Sequence, residues 1–396
     1  MQIPTVFLKA KKDESIRRFH PWVFSGAIRL IEGNAANGDL VRVCANKGAV
    51  LGYGHYSPEA TIAVRMIQFT PEPPSEDFWK DKLEGAYALR KSLGFIDDEN
   101  NDTYRLVHAE GDGLPGLIID HYSGHIVIQC HSLGMFNNID HIAEALKDIY
   151  GDRLKSIYNK SKASLKKNGF ADAEDAYLYG DSSAGNTSIE HGNQFYIDWE
   201  GGQKTGFFID QRENRQLLGQ YSKGKKVLNT FCYTGGFSIY ALKEGASEVH
   251  SLDSSQKALD LVEENVKLNG FESAKHKCIH ADAVPYMKEV ASDYDIIVLD
   301  PPAFAKHKSA RHQAVQGYKR INARAMESIK SGGLLFTFSC SQAVDKKLFN
   351  HTVISAAISV GREARILHQL HQPADHPVSA FHPEGEYLKG LVLEIR

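Results

Sequence analysis

From about residue 196 onward, apolar strand-like runs alternate with helix-like stretches, and this alternation constrains the fold more than any other feature of the chain. Strand–helix repetition of this kind builds a parallel sheet with helices on both faces. Residues 226–231 form the first run, which ends in Phe231 and feeds the turn Cys232-Tyr233-Thr234-Gly235-Gly236, followed by a helix over 237–244. A second strand over 248–253 ends in Asp253, a helix spans 255–269, and a third strand over 277–280 leads to Asp282. The run 294–299 ends in Asp300-Pro301-Pro302-Ala303-Phe304, and the run 334–337 ends in Phe338-Ser339-Cys340-Ser341. Closing strands fall at 364–370 and 388–394. Ligands of open α/β sheets bind at the carboxyl ends of the strands. The strand ends therefore bring glycines, carboxylates, an aromatic ring and a thiol around one pocket.

A chain of 396 residues is long enough for two or three domains. Residues 1–71 read as a small β-rich module, with strands at 5–8, 40–44, 49–54 and 62–67 separated by glycine and asparagine turns. The proline-rich stretch 70–75 can continue neither a strand nor a helix and marks a boundary. Residues 72–190 read as a central α+β domain, with helices at 78–93 and 138–150, strands at 104–108, 117–122, 126–130 and 157–160, and a loop over 168–188. Residues 191–396 make up the α/β domain.

No apolar run approaches the roughly 20 residues needed to cross a bilayer. The start of the chain is interrupted by charge too soon for a secretory signal. Five cysteines without a CxxC pair suggest a reducing cytoplasm, and no histidine or cysteine spacing suggests a metal site. The net charge of −3 carries no global basic signal, so nucleic-acid binding has to be argued from local clusters. Three stand out: Lys9/Lys11/Lys12 with Arg17 and Arg18, Lys160/Lys162/Lys166/Lys167, and Lys306/His307/Lys308/Arg311/His312 with Lys319 and Arg320. The third directly follows the Asp300 string and should rim the pocket.

The Tyr233-Thr234-Gly235-Gly236 turn suits a nucleotide site, and Asp253, about twenty residues on, can take ribose hydroxyls. The turn lacks GxGxxG, which disfavours a dinucleotide and favours S-adenosylmethionine, with Asp282 placed for the adenine amine. Pro301 and Pro302 fix the backbone and hold Asp300 in the pocket, and Phe304 can stack on an extruded base. Cys44, Cys130 and Cys278 read as small buried hydrophobes, and Cys232 as packing within the cofactor turn. Cys340, flanked by serines at a strand end, reads as a nucleophile, with a structural thiol as the alternative.

These motifs, in this order, resemble the bacterial 23S ribosomal RNA cytosine-5 methyltransferases of the large-subunit methyltransferase I type. The likeness runs the length of the chain. The string from His20 to Ile28 resembles that family's N-terminal PUA domain, a small RNA-binding barrel, and Gly111-Asp112-Gly113-Leu114-Pro115-Gly116 resembles its central domain. The segment from Lys204 through Asp210, Gln211 and Arg212 resembles its entry into the class I methyltransferase domain, and Glu386-Tyr387-Leu388-Lys389-Gly390 its tail. The resemblance implies an S-adenosylmethionine site that includes Gln211 and Arg212, an RNA partner, no membrane partner, and a cysteine adduct at carbon 6 of the base. It leaves the oligomeric state open, with a homodimer as one option. Two other functions fit the residues. A base N-methyltransferase would use the Asp300 string alone, and a uracil-5 enzyme would share the single pocket thiol. A third reading, from another class, is an RNA-binding assembly factor with a vestigial cofactor pocket.

Overall fold

The computed structural model describes residues 3–170, 172–305 and 307–396, and the side chains of Val290, Ala291, Lys308 and Ser328 also fall outside the description. Two compact units form. The first takes the chain to Ser188 together with Ile197–Phe207 and Ala374–Gly385, and the second takes Ile189–Tyr196, Phe208–Pro373 and Glu386–Arg396.

The first unit holds two sheets. Strands β1 (Thr5–Leu8), β2 (Trp22–Phe24), β3 (Ile28–Glu32), β4 (Leu40–Cys44), β5 (Val50–Tyr56) and β6 (Ile62–Gln68) pair in the order β2-β6-β5-β4-β1-β3. Strands β2 and β3 were not legible in the sequence. The first is three residues long, and the second leaves three of its five side chains exposed, so neither shows a period. Strands β7 (Thr103–His108), β8 (Leu117–Tyr122), β9 (His125–Cys130), β10 (Ser156–Asn159) and β11 (Ala176–Gly180) form the second sheet in sequential order. Strand β11 lies inside the stretch expected to be a loop. It pairs antiparallel with β10 at the sheet edge, where a short Ala176-Tyr177-Leu178-Tyr179-Gly180 segment set in a polar, glycine-containing stretch serves as a partly exposed strand. Helices Phe78–Ser92 and Ile139–Tyr150 pack against this sheet and supply its core with Leu83, Ile142 and Leu146.

The second unit carries the α/β sheet. A hairpin of β12 (Thr187–Glu190) and β13 (Asn193–Tyr196) leads into it. Strands β14 (Lys226–Thr230), β15 (Glu248–Asp253), β16 (His276–His280), β17 (Ile296–Leu299), β18 (Gly333–Ser339), β19 (Ala364–His371) and β20 (Lys389–Ile395) pair in the order β16-β15-β14-β17-β18-β20-β19. The first five are parallel, and β20 runs antiparallel between β18 and β19. All four residues of β17 are buried, as expected for a parallel strand covered by helices on both faces. Strand order reverses between β14 and β17, so the carboxyl ends of these two neighbours flank an uncovered crevice. The Thr230 hydroxyl donates to the Val298 carbonyl at 2.6 Å and ties the pair together near that end. Among the described residues no helix is long and apolar enough to cross a membrane.

Beside the crevice lies a buried ion pair. Arg215, on helix Arg212–Ser222, donates to both Glu190 carboxylate oxygens at 2.9 and 2.6 Å and to the Phe208 carbonyl at 2.9 Å. The Tyr240 hydroxyl donates to the same carboxylate at 2.9 Å. Both partners of the pair are fully buried, so removing one strands the other charge. Arg215→Met should cost about 3–5 kcal/mol in urea unfolding. The double variant Arg215→Met/Glu190→Gln should recover part of that loss, because it leaves no unpaired charge.

Candidate active site

Phe231 and Tyr233 follow β14 with φ of 56° and 46°, and Gly235 takes φ of 80° at the N-terminus of helix Gly236–Lys243. Non-glycine residues adopt such values only when their surroundings hold them there. Asp253, at the tip of the adjacent β15, does the holding. Its carboxylate accepts the Tyr233 amide at 3.1 Å on one oxygen and the Ser255 amide at 2.9 Å on the other. The Thr234 carbonyl accepts from the Asn265 side chain at 2.9 Å. The two glycines answer to protein neighbours. A Cβ on Gly235 would lie 2.9 Å from the Val262 side chain, and one on Gly236 would lie 2.9 Å from the Arg215 side chain. The turn thus needs glycine for packing between two helices, whatever its ligand.

The donor set fits S-adenosylmethionine. A carboxylate has about four lone-pair positions, and Asp253 commits one on each oxygen to the backbone, which leaves capacity for two hydroxyls. Asp282 lies exposed beyond β16, with one oxygen accepting the Val284 amide at 2.9 Å. The partly buried rings of Phe208 and Tyr233 meet edge to face, 5.2 Å apart, at the mouth of the turn.

Across the crevice, at the end of β17, the Gln211 side-chain amide donates to Asp300 at 3.0 Å, and the Asn214 amide steadies Gln211 by donating to its carbonyl at 2.7 Å. Asp300 also faces Asp210, whose carboxylate accepts from the Tyr387 hydroxyl at 2.7 Å. Burial first, and then the Asp210 charge, push the Asp300 carboxyl up to about 7, with Gln211 and Arg215 opposing. Arg212 is fully buried and pairs with Glu213 at 3.4 Å. Pro301 is buried and Pro302 exposed. Phe304 is partly buried and packs on Tyr318, with ring centroids 4.7 Å apart and a Cβ of Gly317 only 3.0 Å away had there been one. Part of its surface is thus already committed to helix Arg311–Ser328.

Cys340 closes β18, partly buried, between the buried Ser339 and Ser341. The Ser341 hydroxyl donates to the Ala305 carbonyl at 2.8 Å and so ties the thiol-bearing end to the segment after Asp300. The other four thiols differ. Cys44, Cys130 and Cys232 are buried, and burial pushes the Cys232 thiol well above its ordinary value, with Asp253 adding to the effect. Cys278, expected to be buried, is only partly so, because β16 is the edge strand of the sheet; desolvation still raises its thiol to about 12.

Of the residues expected to meet RNA, Arg17 and Arg18 pair with Asp13 and Glu14 on their own short helix at 2.7 and 3.6 Å. Arg311 pairs with Asp345 at 3.1 Å, both exposed, and Lys319 is partly buried. Lys306 lies outside the described residues. Sequence reasoning assigned no role to Asp210, Asn214, Tyr318 or Lys389. The strings around Asp210 and Lys389 were noted, yet nothing in their spacing shows which of these side chains turns inward.

The first unit contains one cluster that the sequence did not suggest, His20, His382 and Glu384, whose ligand-type atoms lie within 4.8 Å of one another. The Trp22 amide donates to His20 Nδ1 at 3.2 Å, so the neutral ring carries its proton on Nε2, 3.7 Å from Glu384. That tautomer turns an N–H toward the Glu384 carboxylate and opposes ligation through Nε2.

Comparison with known proteins bears on both units. Residues 105–382 match the family model of S-adenosylmethionine-dependent methyltransferases, and residues 6–69 match that of PUA-like domains. Proteins named ribosomal RNA large subunit methyltransferase I are similar over nearly the whole chain. The one from Aeromonas hydrophila is 39% identical over 398 residues and the one from Photobacterium profundum 40%, with 99% of each chain covered. A chain from Streptococcus mutans, described as a candidate SAM-dependent methyltransferase, superposes with a TM-score of 0.83 at 20% identity, covering 99% of this chain and all of the other. A further candidate methyltransferase, solved with SAH, gives 0.85 at 21%. At such identities the likeness shows the fold.

The raised Asp300 carboxyl generates a prediction. Ionisation is disfavoured in the folded state, so Asp300 costs nothing below the ordinary carboxylate range and progressively more stability as pH rises toward about 7. Asp300→Asn keeps an acceptor for Gln211 without the charge. It should raise the melting temperature at pH 8 and leave it unchanged at pH 4, as read by differential scanning calorimetry.

Proposed function

The chain belongs to the S-adenosylmethionine-dependent methyltransferases and, within them, to the ribosomal RNA large subunit methyltransferase I family, and on that premise we propose that it methylates carbon 5 of a cytosine in 23S ribosomal RNA through a covalent adduct with Cys340. The observation that carries this reading is the half-buried Cys340 thiol at the carboxyl end of β18, tied through Ser341 to the segment that follows Asp300.

Carbon 5 of cytosine is a poor nucleophile. When the Cys340 thiolate forms a bond to carbon 6, the pair from the 5,6 double bond moves into the ring and makes carbon 5 enamine-like. Bound S-adenosylmethionine supplies an electrophilic methyl group at its sulfonium. Once carbon 5 is methylated, a base takes its proton, the double bond re-forms and the carbon–sulfur bond breaks, returning the pair to sulfur. Asp253, Asp282, the Phe231–Gly236 turn, Gln211 and Arg212 hold the cofactor in this reading. Phe304 offers its remaining surface to the base, with Pro301 and Pro302 fixing the loop.

Asp300 supports cytosine over uracil. A carboxyl group raised to about 7 has a proton to share near neutrality. Ring nitrogen 3 of cytosine accepts a hydrogen bond, whereas that of uracil donates one. The O–H of a protonated Asp300 therefore finds an acceptor on the first and none at that atom of the second.

In this reading residues 1–71 are the RNA-reading module, 72–190 the central domain and 191–396 the catalytic domain. Arg17, Arg18, Lys306, Lys308, Arg311 and Lys319 serve as phosphate contacts. The ion pairs of Arg17, Arg18 and Arg311 are exposed and worth little, so exchanging them for phosphate costs little.

Wild-type enzyme should form a denaturant-stable adduct with 5-fluorocytidine-substituted ribosomal RNA, because fluorine blocks the final proton loss. Cys340→Ala should form none, with methyl transfer to unmodified RNA down by about a thousandfold or more. Retained transfer without any adduct would favour a ring-nitrogen or amine methylator, and trapping only on 5-fluorouridine RNA would reassign the base.

A further inference from the structure

We infer that Lys389 is the positioning residue that holds Cys340 as a thiolate, its ammonium fixed against the sulfur-bearing turn by the pairing of β18 with β20. This rests on the reading of Cys340 as the nucleophile. In the antiparallel register Lys389 stands directly opposite Ser339, the residue before the thiol. Its Nζ donates to the carbonyl of Ser341, the residue after the thiol, at 2.7 Å, and to the Tyr387 carbonyl at 2.7 Å. Lys389 is therefore joined to both flanks of residue 340, its backbone to Ser339 by strand pairing and its ammonium to Ser341 by a hydrogen bond. Ser341 is immobile in turn, since its amide donates to the Ser339 hydroxyl at 3.3 Å and its own hydroxyl to Ala305.

Lys389 is 4% exposed, which is unusual for lysine. Two carbonyls satisfy two of its three donors, but dipoles do not neutralise a buried full charge, and such a charge requires an anion nearby. The groups that can supply one are Cys340 on β18, Glu386 on the approach to β20, and the exposed Asp345 that caps helix Lys346–Ser359. On the thiol's side, Tyr318 of helix Arg311–Ser328 feels the Cys340 charge but is pushed up to about 12 by burial and stays neutral, so it does not compete for negative charge. Burial draws Lys389 itself down to about 8, with Cys340 opposing, so at neutral pH the ammonium persists.

A cationic neighbour raises the thiolate fraction of a cysteine, and the thiolate is the reactive form. The thiol proton passes to solvent, the sulfur keeps the electron pair that later bonds to carbon 6, and Lys389 keeps its protons throughout.

The test is the pH dependence of Cys340 alkylation by iodoacetamide in the full chain, followed on the Cys340 peptide by mass spectrometry. Relative to wild type, Lys389→Met should move the midpoint up by about one pH unit or more, a tenfold loss of thiolate at pH 7. Lys389→Arg, which keeps the charge, should stay near the wild-type midpoint. Lys389→Gln keeps polar donors for the two carbonyls without the charge, so it should shift as the methionine variant does even if the latter folds poorly. An unshifted midpoint in a Lys389→Gln protein that melts at the wild-type temperature would overturn the inference. The adduct on 5-fluorocytidine RNA reports separately. An adduct with no midpoint shift removes the role of Lys389 alone. A midpoint shift without any adduct supports the charge coupling and removes the nucleophile reading alone.

Discussion

The parallel pairing of β14 with β17 is the constraint on which the second unit depends. Strands β15 and β16 are added on one side of β14, and β17 and β18 extend the sheet on the other. Crossovers that leave in opposite directions cannot both cover the same strand ends, so the crevice above β14 and β17 stays open. Each chemical group in the site is placed by its distance from that seam. The strained turn from Phe231 to Gly235 tops β14, Asp253 is one strand away, Asp300 tops β17, and Cys340 is one strand beyond it. The Thr230–Val298 hydrogen bond and the fully apolar β17 keep the seam in register. A slip of one residue would exchange the faces of every side chain along it.

Around this seam the protein tolerates several unfavourable charges, each restrained by a neighbour on another element. Glu190 and Arg215 are fully buried but make a bidentate pair. Asp300 lies near Asp210 and escapes repulsion by taking up a proton near neutrality. Lys389 is buried beside a thiol. Each arrangement departs from what stability alone would select, and such departures concentrate where chemistry is done.

The α/β architecture was legible because its strands are short apolar runs punctuated by acids, glycines and prolines. Ser255 accepts from Ala258 and opens a helix just where the pattern places one, and β19 and β20 fall where closing strands are expected. The strand-end residues Asp253, Asp282, Asp300 and Cys340 could be picked out because position on a strand fixes which end of the sheet they reach. What stayed hidden depends on pairing across long separations. The short, tyrosine-bearing segment of β11, set in a polar stretch, is a strand only because β10 offers it an edge. Lys389 falls within the closing strand expected over 388–394, but which way its side chain turns is not legible until the register with Ser339 is known. The Gly235–Gly236 pair was visible, but the reason for it, the Val262 and Arg215 side chains, lies on other helices.

The order of synthesis gives the position of β20 a further meaning. It lies between β18 and β19, yet it leaves the ribosome after both of them. Until it emerges, β18 presents a bare edge and β19 has no neighbour in the sheet, so the nascent domain must wait with its last gap unfilled. The same strand that fills the gap carries Lys389 into place. On the role inferred for Lys389, the Cys340 strand end acquires its charged neighbour only as the sheet closes.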